Sequence, residues 1–245
     1  EEEGGFRELF ADGAAWTTVP LAAVWAGIGF GYYATVLLIG TVFQKDDAAA
    51  GGCSFDEVNI MISAAAEMVA LVVLHELVDH AAVGRRGAQA GLYALMAGAT
   101  LVLGATGARG GASKAATSAA FLARGAAVAG FSATWIHTPE LYPTRVRTTA
   151  HSFLYSVARV AAFCSAYWAY APRVPLPWRT ALVAVLAGTC AVLALGMRET
   201  SGAALDSPAA VARRSPHTAQ EAETLLPHAA AAAAVAAEEA GGQGG

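Results

Sequence analysis

Apolar runs alternate with short polar segments from Trp16 to Met197, and each run is about as long as a ~30 Å hydrocarbon layer requires of a helix. The pattern predicts six spans, over about 16–41, 58–78, 89–107, 115–136, 148–170 and 178–197. Their ends have local causes. Pro20 stands near the start of the first span, where a helix tolerates proline best. Lys45 to Glu57 reads as a polar loop carrying Asp46, Asp47, Asp56 and Glu57. His75, Glu76, Asp79 and His80, then Gly84-Arg85-Arg86, form a polar connection to the third span, and the short glycine-rich stretch Arg109 to Lys114 forces its neighbours antiparallel. In Trp135 to Thr149, WIHTPELYPTRVRTT, Pro139 and Pro143 are expected to break the chain between two helices. Tyr167, Trp168 and Tyr170 suit a headgroup boundary, and Pro172, Pro175 and Pro177 mark the last turn.

The expected fold is all-α, a polytopic bundle of six transmembrane helices over 16–200. Residues 1–15 read as the end of a cytoplasmic loop, in which Phe6, Leu9 and Phe10 are spaced for a short helix on the membrane surface. Residues 201–245, rich in Ala, Ser, Pro and Gly, read as a disordered cytoplasmic tail. The chain opens Glu1-Glu2-Glu3 rather than with Met, so sequence upstream is expected.

Composition supports the membrane reading. Charged residues are 14% of the chain, against roughly a quarter in soluble domains. A net charge of −4 with no basic block gives nucleic acid no electrostatic footprint. Cys164 and Cys190 fall inside apolar runs and Cys53 in a loop, so no disulfide framework is readable. Arg7, Arg85, Arg86, Arg145, Arg147, Arg198, Arg213 and Arg214 fall on one side of the six spans, and Lys45, Arg109, Lys114, Arg173 and Arg179 on the other. The excess makes the first side cytoplasmic, with both termini there.

Three charges stand well inside the spans, away from their ends: Glu67, Arg124 and Arg159. A charge at mid-membrane depth costs roughly 2.5–3.5 kcal/mol on insertion scales, so these side chains should face a cavity or a partner. Glu67 and Arg124 form either a structural pair or a coupling and substrate site; Arg159 can also bond carbonyl ends. Gly27, Gly29 and Gly31 loosely imitate a nucleotide loop but have no preceding strand, and helix packing is the better reading. His75-Glu76-x-x-Asp79 differs from the zinc-protease His-Glu-x-x-His helix in its second ligand. No catalytic set, metal site or cofactor is expected, and a proton is the candidate coupling ion.

Taken in order, several motifs share one likeness. Glu140, Pro143-Thr144 and Arg145 in the Pro-bracketed turn resemble the loop between the tenth and eleventh helices of the major facilitator superfamily, in its sugar-porter and organic-ion branches. FGYYATVLLIG at Phe30 to Gly40 looks like the seventh helix of the synaptic-vesicle-2-related branch. Asp79, Gly84, Arg85 and Arg86 are similar to the Asp, Gly, Arg motif between helices eight and nine, with two residues inserted after Asp79. Arg198-Glu199-Thr200-Ser201-Gly202 resembles the closing Pro-Glu-Thr-Lys-Gly motif of sugar porters. The likeness is to the carboxyl-terminal half of a twelve-helix transporter.

The resemblance implies secondary active transport of a small organic solute by alternating access, with no enzymatic activity. It implies a cavity shared with an amino-terminal six-helix half, or with a second copy of the chain. It also implies a cytoplasmic network involving Asp79, Gly84, Arg85, Arg86, Glu140, Pro143, Thr144, Arg145, Arg147 and Glu199 that fastens helix ends in one access state. Within that network Glu140 is expected to pair with Arg145 or Arg147. The alternative is a membrane binding or scaffold protein that does not transport.

Overall fold

The structure, a computed structural model, describes residues 5–11, 13–47, 52–78, 80, 83–109 and 113–200. Asp79 and the expected tail, 201–245, lie outside the described residues. Six long helices make an all-α membrane bundle: α1 (Ala15–Val42), α2 (Glu57–Val78), α3 (Gly84–Gly107), α4 (Lys114–Leu141), α5 (Thr144–Ala169) and α6 (Leu176–Gly196).

Five of these are long and apolar enough to cross a membrane, and α5 is not among them. It is as long as its neighbours, but Arg145, Arg147, His151 and Arg159 lower its apolarity. The polar loop expected over 45–57 is partly ordered instead. Strand β1 (Gln44–Asp47) pairs antiparallel with β2 (Gly52–Phe55), Gln44 opposite Phe55 and Asp47 opposite Gly52. Pairing gives backbone groups at this helix connection partners that a free loop would have to find in water.

The Pro-bracketed turn also differs from expectation. Pro139 does not break α4 but sits in its last turn, and the break falls at Tyr142, whose extended backbone is what a following proline favours. Pro143 then stands at the N-cap of α5. Its missing N–H is harmless beside helix donors that already lack intrahelical partners. The helix α3 begins at Gly84, earlier than the apolar run, so Arg85 and Arg86 occupy its first turn rather than a loop.

Helices α1, α4, α3 and α6 pack in a ring, α2 lies against α4, and α5 lies against α1. The glycines of α1 set its distances to neighbours. Gly29 meets α5 so closely that a Cβ there would lie 2.8 Å from the Ala158 carbonyl oxygen. Without a hydrophobic force between helices in lipid, such small-residue contact is what holds spans together. With α2 packed on α4 and α5 on α1, and at most marginal contact between α2 and α5, the face of α1 and α4 that lies between them forms a shallow groove lined by Tyr32, Tyr33, Glu67 and Arg159.

The segment before α1 packs on the bundle. Its single 3-10 turn, Phe6–Leu9, buries Leu9 and sets the rings of Phe6 and Phe10 against Phe153 of α5, at 5.1 and 5.8 Å between centroids.

Candidate functional site

Two polar clusters interrupt the apolar bundle, one at the end where α3 begins and α4 and α6 finish, the other along the groove. At the first, Glu140 in the last turn of α4 forms an ion pair with Arg85, and its other oxygen accepts the Thr200 hydroxyl at 2.5 Å. Both charged side chains are largely buried, at 14% and 20% exposed. Glu199 accepts the backbone N–H groups of Arg85 and Arg86 at 3.0 and 3.2 Å. An acceptor carboxylate at a helix N-terminus meets both orphan donors and the positive end of the macrodipole. Arg86 extends the contact by donating to the Leu195 carbonyl at 3.2 Å.

Gly84 makes this approach feasible. Its φ of +65° is one that side-chain-bearing residues rarely adopt, and a Cβ there would press within 2.6 Å of the Glu199 carboxyl carbon. The segment following α6 is therefore fastened to the start of α3 and the end of α4.

The expected pairing of Glu140 with Arg145 or Arg147 does not occur. The turn at Tyr142 and Pro143 carries both arginines onto α5, away from the α3 terminus that Glu140 faces. Arg145 pairs with Glu8 at 2.7 Å, with side chains 65% and 39% exposed, an ion pair of small worth. Arg147 points to the Tyr142 carbonyl at 3.5 Å. Tyr142 donates to Thr18, and Thr18 to the Leu9 carbonyl, at 3.0 and 2.7 Å. Burial pushes the Tyr142 phenol above its ordinary range, with the Thr18 hydrogen bond acting the other way.

Beneath the fastening lies a buried polar chain that sequence reasoning passed over. His137 bonds through Nδ1 to Gln89 Oε1 at 3.1 Å and through Nε2 to the Arg198 carbonyl at 3.0 Å. Gln89 donates in turn to Thr134 at 3.1 Å. The signal was present: Thr134, His137 and Thr138 recur at helical spacing within an otherwise apolar run.

In the groove, Glu67 of α2 and Arg124 of α4 meet, Nε to Oε1 at 2.6 Å, and the Tyr32 hydroxyl donates to the same carboxylate at 3.2 Å. Each charge stands well inside its helix. The neighbouring Tyr33 accepts Arg159 of α5 at 3.4 Å, and the Arg159 guanidinium lies 4.5 Å from the centre of the Tyr155 ring. The packed rings of Tyr32 and Tyr33, 5.1 Å apart, thus join the two charged groups. Farther along the wall, Trp135 contacts Tyr155 and His151 at 5.2 and 4.4 Å. Glu67, Arg124 and Arg159, far apart in sequence, therefore share one groove.

The chain matches no family model. It is similar to the synaptic vesicle 2-related protein of Rattus norvegicus, 28% identical over 226 residues, which cover 84% of this chain and 40% of the relative. The protein of the same name from Pongo abelii is 27% identical over 212 residues, 80% of this chain and 37% of the relative. A protein of Caenorhabditis elegans named "Putative transporter svop-1" is 26% identical over 209 residues, 80% of this chain and 38% of the relative. The likeness seen in the motifs thus extends along most of this sequence, while the chain spans about two fifths of the length of these relatives.

Proposed function

We propose that this bundle is the second half of a secondary active transporter that moves a small organic solute by alternating access. The observation that carries the reading is the groove between α2 and α5, where Glu67, Arg124 and Arg159 stand at mid-helix. Charges at that depth are unstable against lipid and are at home beside a water-filled cavity. A first six-helix half, or a second copy of the chain, would close over the groove and leave the solute site between the two bodies near the midplane. The named relatives support transport as the general activity.

In this reading Glu140, Arg85, Glu199 and Gly84 form a cytoplasmic fastening that holds one access state, and breaking it accompanies the rocking of the halves. Both chain ends would be cytoplasmic, as the arginine bias favours. Glu67 is the proposed coupling group, because a carboxylate bound to an arginine and a tyrosine can exchange a proton for those partners as the cavity opens. Uptake by the protein from its complete coding sequence, reconstituted in liposomes and assayed with sugars, organic cations and carboxylates, tests the activity. Glu67→Gln is expected to abolish uphill accumulation while exchange continues. Accumulation at the unaltered level would remove Glu67 from coupling.

A further inference from the structure

We propose that His151 is a proton-operated plug at the end of the groove next to the Pro143 turn, closed while its ring is neutral and opened when the ring takes a proton. The inference rests on the transporter reading.

His151 stands two turns into α5 and enters a box of aromatic rings drawn from three helices. It meets Trp25 of α1 edge to face at 5.2 Å and 87°, and Trp135 of α4 at 4.4 Å and 60°. Trp25 is held firmly: fully buried, it donates to the Thr138 hydroxyl at 2.9 Å and packs on Trp135 at 5.5 Å. Trp135, 39% exposed, forms the groove side of the box, and Tyr155, one turn beyond His151, closes against it at 5.2 Å. The imidazole thus joins α1, α4 and α5 at one end of the groove.

The box suits the neutral ring. Nε2 of His151 is buried and has no hydrogen-bond partner among the described residues. No free carboxylate among the described residues of the packed elements faces a proton there. Helix α1 carries no charged residue. On α4, Glu140 is held by Arg85 and Arg124 by Glu67, and His137 is bound to Gln89 and the Arg198 carbonyl. Before α1, Glu8 is held by Arg145. The charge one turn before His151 on α5 is Arg147, of the same sign as an imidazolium. Indole faces attract a cation, but a buried charged N–H without an acceptor is disfavoured more strongly.

A protonated His151 is therefore better placed past the exposed edge of Trp135, where water accepts from both ring N–H groups. That movement unpacks Trp135 from Trp25 and opens this end of the groove. The proton comes from water on the same side, so acid there favours opening toward it. One proton moves such an equilibrium by at most about tenfold per pH unit.

The site is read first by tryptophan emission of the protein from its complete coding sequence in lipid nanodiscs. Acidification from about pH 8 to about pH 5.5, the range in which histidine titrates, should shift emission to longer wavelength as Trp25 meets water. His151→Phe, which keeps a ring without a titrating nitrogen, should lack the shift. Opening is read with the cysteine of Ser156→Cys in sealed vesicles, labelled by an impermeant maleimide from the side of the Pro143 turn. The labelling rate relative to that in the His151→Phe background should rise about threefold or more over the same range. Where His151→Phe lowers the thermal midpoint, His151→Gln takes its place with the same expected loss of response. An emission shift that persists in both variants, no shift in the unaltered protein, or relative labelling that is flat or falls in acid would each overturn the proposal. A His151-dependent shift in protein that takes up no solute in liposomes would uphold the proton site and contradict transport. Solute uptake without any His151-dependent shift would do the reverse.

Discussion

Arg124→Ala is expected to destabilise the bundle by about 3 kcal/mol, because it strands the Glu67 carboxylate between α2 and α4. Breaking a buried pair from one side typically costs 3–5 kcal/mol, and the lower end applies here because the Arg124 and Glu67 side chains keep 16% and 27% of their exposure. The loss should be read as a lower thermal midpoint in detergent and a lower yield in the membrane. Replacing both members, Glu67→Gln with Arg124→Gln, should recover most of it, since two amides can hydrogen-bond without an unpaired charge. If the separate losses simply add in the double variant, the two residues are not energetically paired.

Glu140→Ala is the second large effect. It removes the ion pair with Arg85 and the bond to Thr200, both at the junction of α3, α4 and the segment after α6. The expected consequence is a shift between access states that exceeds the loss of yield. A contribution of about 1.5–3 kcal/mol from hydrogen bonds to charged groups corresponds to more than tenfold in that equilibrium. The change should appear as altered turnover per molecule after correction for surface expression. Arg145→Ala serves as the contrast, because its exposed pair with Glu8 is worth at most about 1 kcal/mol. Equal effects from Glu140→Ala and Arg145→Ala would contradict a fastening through Glu140 and Arg85.

The bundle was legible because its cause is local. Apolar length marks a span, and the spans predicted at 16–41 and 58–78 differ from α1 and α2 by a residue at each end at most. Partners were less legible, because they depend on which way a helix end faces. Nothing near Glu140 in the chain names Arg85 as its partner across 55 residues, whereas Arg145 stands a few positions away. Only the turn at Tyr142 and Pro143 decides between them. A proline removes a donor and so signals a break, but at Pro139, in a last turn, the helix loses one bond and continues to Leu141. The groove charges were recognisable as anomalies in apolar runs. That Tyr32 and Tyr33 join them required the packing of α1 against its neighbours.

Alternating access requires the groove to open in turn to the two sides of the membrane. Ser152, Ser156 and Arg159 form an exposed polar stripe on α5 that is unsuited to lipid. A single cysteine at Ser156→Cys, in the protein from its complete coding sequence with Cys53, Cys164 and Cys190 replaced by serine, tests the claim with a membrane-impermeant maleimide applied to either side of sealed vesicles. Labelling from both sides, with Glu140→Ala changing the ratio between them, is the predicted result. Labelling from one side alone, unmoved by Glu140→Ala, would contradict alternating access.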